Sequence, residues 1–96
     1  MRYRIDPEVV WTPSDGEVRL YSARIGEFQT LNSTAAEIWI LLSEDRSAED
    51  ATAELIRRYG ATSPAQQALI TRDIQEFVGR LVAEGLVQEE SGAAHA

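Results

Sequence analysis

Ninety-six residues, 44% of them hydrophobic and 26% charged, make one globular domain and leave little material for both a core and a large active-site cavity. Nine basic residues against sixteen acidic ones give a formal charge of -7, which repels a polyanion such as DNA unless the bases gather on one face, and they do not. The absence of cysteine excludes disulfides, thiolate metal sites and cysteine nucleophiles; no apolar run approaches the roughly 20 residues of a membrane span, and Met1-Arg2-Tyr3-Arg4 opens without a signal-type apolar stretch, so a soluble cytoplasmic protein is expected.

The first third reads as strands. Val9-Val10-Trp11-Thr12 and Val18-Arg19-Leu20-Tyr21-Ser22 flank Pro13-Ser14-Asp15-Gly16, where Asp-Gly supplies the positive φ angles of a tight hairpin turn. Val18 and Leu20 alternate with Arg19 and Tyr21, which gives one buried and one wet face. A second turn, Ala23 to Gly26, leads into Glu27-Phe28-Gln29-Thr30-Leu31, completing a three-stranded antiparallel meander in which Phe28 and Thr30 lie opposite Gln29 and Leu31.

At Asn32 the period changes to that of a helix. The segment Asn32 to Thr34 offers N-cap oxygens, with Glu37 as a capping-box partner of Thr34, and the first helix is expected from about Ser33 to Ser43. Ser47 before Glu49 and Asp50 starts a second helix, about Ala48 to Tyr59, with Gly60 as its left-handed stop. Ser63-Pro64 opens the third and longest, whose stripe Ile70, Ile74, Phe77, Val78, Leu81 runs towards Gly85. Leu86-Val87-Gln88 then packs back on the core, so a single domain is expected over residues 1–88 with an unfolded polar tail over 89–96.

Chemistry is hard to find in this chain. The one histidine, His95, belongs to the expected tail. The acidic pairs Glu44-Asp45, Glu49-Asp50 and Glu89-Glu90 are accounted for by a loop, a helix dipole and the tail. The serines Ser33, Ser43, Ser47 and Ser63 have capping or turn duties, and the glycines sit at turns rather than in a phosphate loop. No catalytic residue, metal or cofactor is therefore expected. What remains is geometry: the segment Glu27 to Leu31 has neither Pro nor Lys to blunt it as a sheet edge, and the third helix forms the other wall of a groove beside it, with Asp73, Glu76 and Arg80 on the flank.

The stretch Leu31-Asn32-Ser33-Thr34-Ala35-Ala36-Glu37-Ile38-Trp39, followed by Ser47 to Tyr59 and by Asp73-Ile74 through Phe77-Val78 to Leu81 and Gly85-Leu86-Val87, resembles the PqqD family of peptide-recognition domains over about residues 3 to 88. The resemblance implies a winged-helix-like α+β fold of three strands and three helices that is not an enzyme. It further implies that a precursor's leader peptide is bound as an added strand between the third strand and the third helix, then delivered to a separate modifying enzyme. Carried over by position, the peptide-binding residues are Glu27, Phe28, Gln29, Thr30 and Leu31 with Ile70, Asp73, Ile74, Phe77 and Arg80.

The opening residues and free-standing length are similar to the stand-alone recognition proteins of lasso-peptide pathways, which implies a leader peptidase and a cyclase as partners. The segment Ala23 to Gln29 lacks the Pro-Glu-Gly turn expected of the quinone-cofactor branch, so a peptide chaperone for a radical SAM enzyme is the second reading. A winged-helix DNA-binding regulator is the rival of another class, disfavoured because Arg72 and Arg80 are accompanied by Asp73, Glu76 and Glu84. An open strand edge also permits either a monomer or a strand-swapped dimer.

Overall fold

The computed structural model describes residues 2–90; His95 and the rest of the 91–96 stretch lie outside the described residues. The elements run β1 (Arg2–Ile5), β2 (Val9–Ser14), β3 (Glu17–Ser22), β4 (Glu27–Leu31), α1 (Ser33–Ser43), α2 (Ala48–Arg58), α3 (Pro64–Ala83) and β5 (Val87–Glu90). The expected α+β arrangement is present, a three-stranded antiparallel sheet in the order β2-β3-β4 followed by three helices.

A second sheet was not expected. β1 and β5 pair antiparallel with Ile5 opposite Val87 and Tyr3 opposite Glu89. Glu89 and Glu90 are thus strand residues, which corrects their assignment to an unfolded tail. Tyr3 and Ile5 are half-buried and alternate with exposed Arg2 and Arg4, the period of a strand covered on one face.

Turn chemistry sets the first hairpin. Asp15 (φ 51°) and Gly16 (φ 79°) form a two-residue turn of type I′, so the turn is two residues shorter than the Pro13 to Gly16 segment expected. Pro13 instead lies within β2 opposite Val18, on an edge strand where its missing N–H breaks no ladder bond.

The helices start and stop where their caps dictate. Asn32 accepts from Ala35 N at α1, Ser47 from Asp50 N at α2, and Ser63 from Gln66 N at α3, there with a full capping box. Glu37 is not a capping-box partner; its carboxylate accepts from Arg58 and from the Tyr59 hydroxyl, pinning α1 to the end of α2. The core between the main sheet and the helices comprises Val18, Leu20, Trp39, Leu41, Leu55, Ile74 and Leu81, each at most 2% exposed. Trp11 stands edge-on to Trp39 with ring centroids 6.1 Å apart. No described helix is long and apolar enough to cross a membrane.

Candidate functional site

The register of the hairpin decides which backbone groups β4 exposes. In a two-residue hairpin the residues flanking the turn form a hydrogen-bonded pair, and such pairs recur at every second residue. Ser14 and Glu17 flank the turn, so Glu17, Arg19 and Tyr21 turn their backbone groups towards β2. The bond from Ala23 N to Glu8 O, at 3.3 Å, continues the same parity. Val18, Leu20 and Ser22 must then face β4, where their partners are Leu31, Gln29 and Glu27. That leaves the N–H and C=O groups of Phe28 and Thr30 pointing away from β3, along an edge that no other described strand occupies.

The opposite edge of this sheet is already blunted. Along β2 the outward residues are Val9, Trp11 and Pro13; the N–H of Val9 is donated to Asp6 O at 2.9 Å and Pro13 has none. Only Trp11 keeps an outward donor there, so β4 is the edge able to accept a further strand.

Side chains of β4 divide between the two faces of the sheet. Phe28, 83% exposed, lies on the outer face against Tyr21 with ring centroids 4.6 Å apart, and Val10, the register partner of Tyr21, extends this apolar row. Thr30 is exposed on that same face, and Glu27 is exposed at the start of the strand. On the helix side Leu31 is buried, while Gln29 is half-buried and donates from Nε2 to Glu84 Oε1 at 3.3 Å. That hydrogen bond ties the edge strand to the C-cap of α3.

Of the α3 residues expected to line the groove, Ile74 is packed into the core at 1% exposed, so it supports the wall from behind. Phe77 is 9% exposed, and the Arg80 guanidinium covers its ring at 5.4 Å. Asp73 is exposed beside Arg72, and half-buried Ile70 lines a recess of about 260 Å³ with Leu69 and Tyr59 near the start of α3.

A buried carboxylate fixes the turn that feeds β4. Asp6, 2% exposed, accepts from Glu8 N at 2.8 Å, from Arg24 at 2.7 Å and from Gln88 at 3.2 Å. The backbone bond from Glu8, then the Arg24 guanidinium, hold its carboxyl below the usual carboxylate range. Arg24 sits in the β3–β4 turn and also passes close to Gly85, where an added Cβ would stand 3.9 Å from its Cδ. Asp6, Arg24 and Glu84 were not singled out from the sequence. Their partners are 18 to 82 residues away along the chain, beyond any local spacing rule.

Among the described residues no group of three or more His, Cys, Asp or Glu could hold a metal ion. The arrangement offers main-chain hydrogen bonding along an open edge, an apolar row outside it and a charged helix flank.

The sequence matches the family model described as coenzyme PQQ synthesis protein D (PqqD) over residues 3–87. No curated protein matches it. Among solved structures, the chain resembles TbiB1 in complex with the TbiA(beta) leader peptide, with a TM-score of 0.81 and 24% identity over 92% of this chain and 98% of that one. It also resembles a lasso peptide synthetase B1 complexed with the leader peptide, with a TM-score of 0.76 and 26% identity over 93% of this chain and 100% of that one.

Proposed function

The chain belongs to the PqqD family, and from that premise we propose that it captures the leader segment of a ribosomally made precursor peptide as an added strand on β4. It then presents the precursor to modifying enzymes, the leader peptidase and cyclase of a lasso-peptide pathway, and performs no chemistry of its own. The observation that carries this reading is the open edge at Phe28 and Thr30 beside α3. Both similar structures hold a leader peptide, which supports the same duty here.

Magnitudes show what the edge can and cannot supply. An antiparallel guest opposite Phe28 and Thr30 gains about four main-chain hydrogen bonds, worth roughly 2–6 kcal/mol net at about 0.5–1.5 kcal/mol each. Micromolar affinity needs about 8 kcal/mol, and association has entropic costs besides. Side chains must contribute the difference, from Phe28 on the outer face and from Gln29, Phe77 and Arg80 on the helix side. Alternate guest residues meet these two faces, which is where leader specificity resides.

The test is isothermal titration with synthetic leader peptides of lasso-peptide precursors, joined to amide chemical-shift mapping. Micromolar or tighter binding with the largest shifts at Phe28 and Thr30 is expected. Binding that leaves those two amides unmoved overturns the edge-pairing mechanism. The radical SAM chaperone reading shares this edge and differs in the receiving enzyme. The DNA-binding reading is not favoured, because Arg72 and Arg80 of α3 are accompanied by Asp73, Glu76 and, at its C-cap, Glu84.

A further inference from the structure

The outer face of the main sheet is built in cross-strand rows. Val10, Tyr21 and Phe28 form one of them, apolar and aromatic, with the Tyr21 and Phe28 ring centroids 4.6 Å apart. Thr12, Arg19 and Thr30 form the next, with Arg19 at its centre on β3, and all three are exposed. Among the described residues Arg19 makes no ion pair, whereas Arg2, Arg24, Arg57, Arg58 and Arg72 each have a carboxylate partner. Glu17, two residues earlier on the same strand face, is not within ion-pair distance of it, and the one arginine described over an aromatic ring is Arg80. The sheet therefore holds a cation in the middle of a short-side-chain row with no partner of its own.

Register dictates what a guest brings to these rows. A strand added antiparallel to β4 forms hydrogen-bonded pairs at Phe28 and Thr30, the residues whose backbone groups point outward, and side chains directly opposite one another share a face. Two guest residues thus continue the outer rows. One stands opposite Thr30; the other, two positions later in the guest, stands opposite Phe28. The residue between them faces the helices opposite Gln29.

We propose, as a step that rests on the guest reading, that Arg19 selects a guest carrying Asp or Glu opposite Thr30 and an aliphatic or aromatic residue two positions later, opposite Phe28. Thr30 is short, so the Arg19 guanidinium can lean across it towards the added strand. Two strand spacings, about 10 Å, separate the two backbones, a gap that an arginine and a glutamate close between them. The neighbouring row supplies the second half of the pattern, because a guest residue opposite Phe28 extends the apolar surface of Val10, Tyr21 and Phe28. The net charge of -7 disfavours an acidic guest at long range, but screening confines such fields to about 8 Å at physiological salt, and the row that the guest side chain joins holds a cation. Both partners are in water, so the selection is worth about two- to fivefold in affinity.

The test uses the full chain, ¹⁵N-labelled, with a synthetic leader peptide of a lasso-peptide precursor. Cross-strand NOEs to the Thr30 and Phe28 amides identify the guest residue opposite Thr30, which is then made as Glu, Gln and Lys. Affinity for the parent chain should fall in that order, by about two- to fivefold at each step. Arg19→Glu should reverse the order and Arg19→Gln should flatten it; both are exposed substitutions that leave the backbone ladder intact, and Arg19→Gln carries the test should Arg19→Glu not fold. The role of Arg19 is overturned, with the guest reading left standing, if Phe28 and Thr30 amides shift while the three guests bind the parent alike or keep the same order in the variants. A leader that does not bind, or binds without moving those two amides, overturns the guest reading and this selection together.

Discussion

The side chain of Gln29 reaches from the edge strand to Glu84 at the C-cap of α3, a 3.3 Å hydrogen bond between the two elements proposed to flank the guest. Both groups are solvent-accessible, so the bond itself contributes only about 0.5–1.5 kcal/mol. Its consequence is positional. Gln29→Ala and Glu84→Ala should each weaken leader binding several-fold while leaving the thermal midpoint nearly unchanged. In a double-mutant cycle read by titration calorimetry the two losses should be non-additive, with a coupling of at least about 0.5 kcal/mol. Strict additivity would separate the bond from the site.

Backbone parity yields a sharper expectation. Thr30→Pro removes an outward donor and no β3–β4 ladder bond, so it should cost about 1 kcal/mol of leader affinity, roughly a fivefold loss, with a smaller effect on stability. Gln29→Pro removes an inward donor paired with Leu20, and should lower the unfolding midpoint in urea before any effect on the guest is read. A measurement in which Gln29→Pro spares the fold while Thr30→Pro unfolds it would reverse the assigned parity.

That parity was readable from the sequence in principle, because Asp15-Gly16 fixes a two-residue turn and every pairing outward follows by counting in twos. Placing Pro13 in the turn and not in β2 hid it. Helix ends were legible for a related reason: Ser47, Ser63, Gly60 and Gly85 act through bonds to residues three or four positions away. The β1–β5 sheet, the Asp6–Arg24 clamp and the Gln29–Glu84 bond join segments far apart in sequence, so no window along the chain contains both partners. Glu37 shows the cost of the local rule, for its spacing from Thr34 fitted a capping box while its real partners wait on α2.

Phe28 separates a binding role from a structural one. At 83% exposed it contributes little to the core, and its contact with Tyr21 is worth about 0.2–1 kcal/mol as a cross-strand pair. Phe28→Ala should therefore shift the midpoint of unfolding only slightly. The same change strips the outer face of the aromatic surface that a guest residue opposite it would cover, and a fall of about tenfold in leader affinity is expected, the scale of a buried aromatic contact. Unchanged affinity would confine recognition to the helix side.

Asp6 couples acid stability to the geometry of the guest edge. Its carboxyl sits below the ordinary value of 3.8 in the folded chain, so it stabilises the fold fully above that value, and this contribution fades as pH falls through the lower folded-state pKa. Asp6→Asn should lower the thermal midpoint at pH 7 and narrow the gap to the parent protein as pH drops below about 3.8. Because the carboxylate also holds Arg24 in the turn that launches β4, the substitution should loosen leader binding at pH 7 without touching any residue of the edge itself. Thermal scans from pH 2 to 7 on both proteins decide the matter: a gap that stays constant with pH would mean that the buried charge has no part in holding the turn.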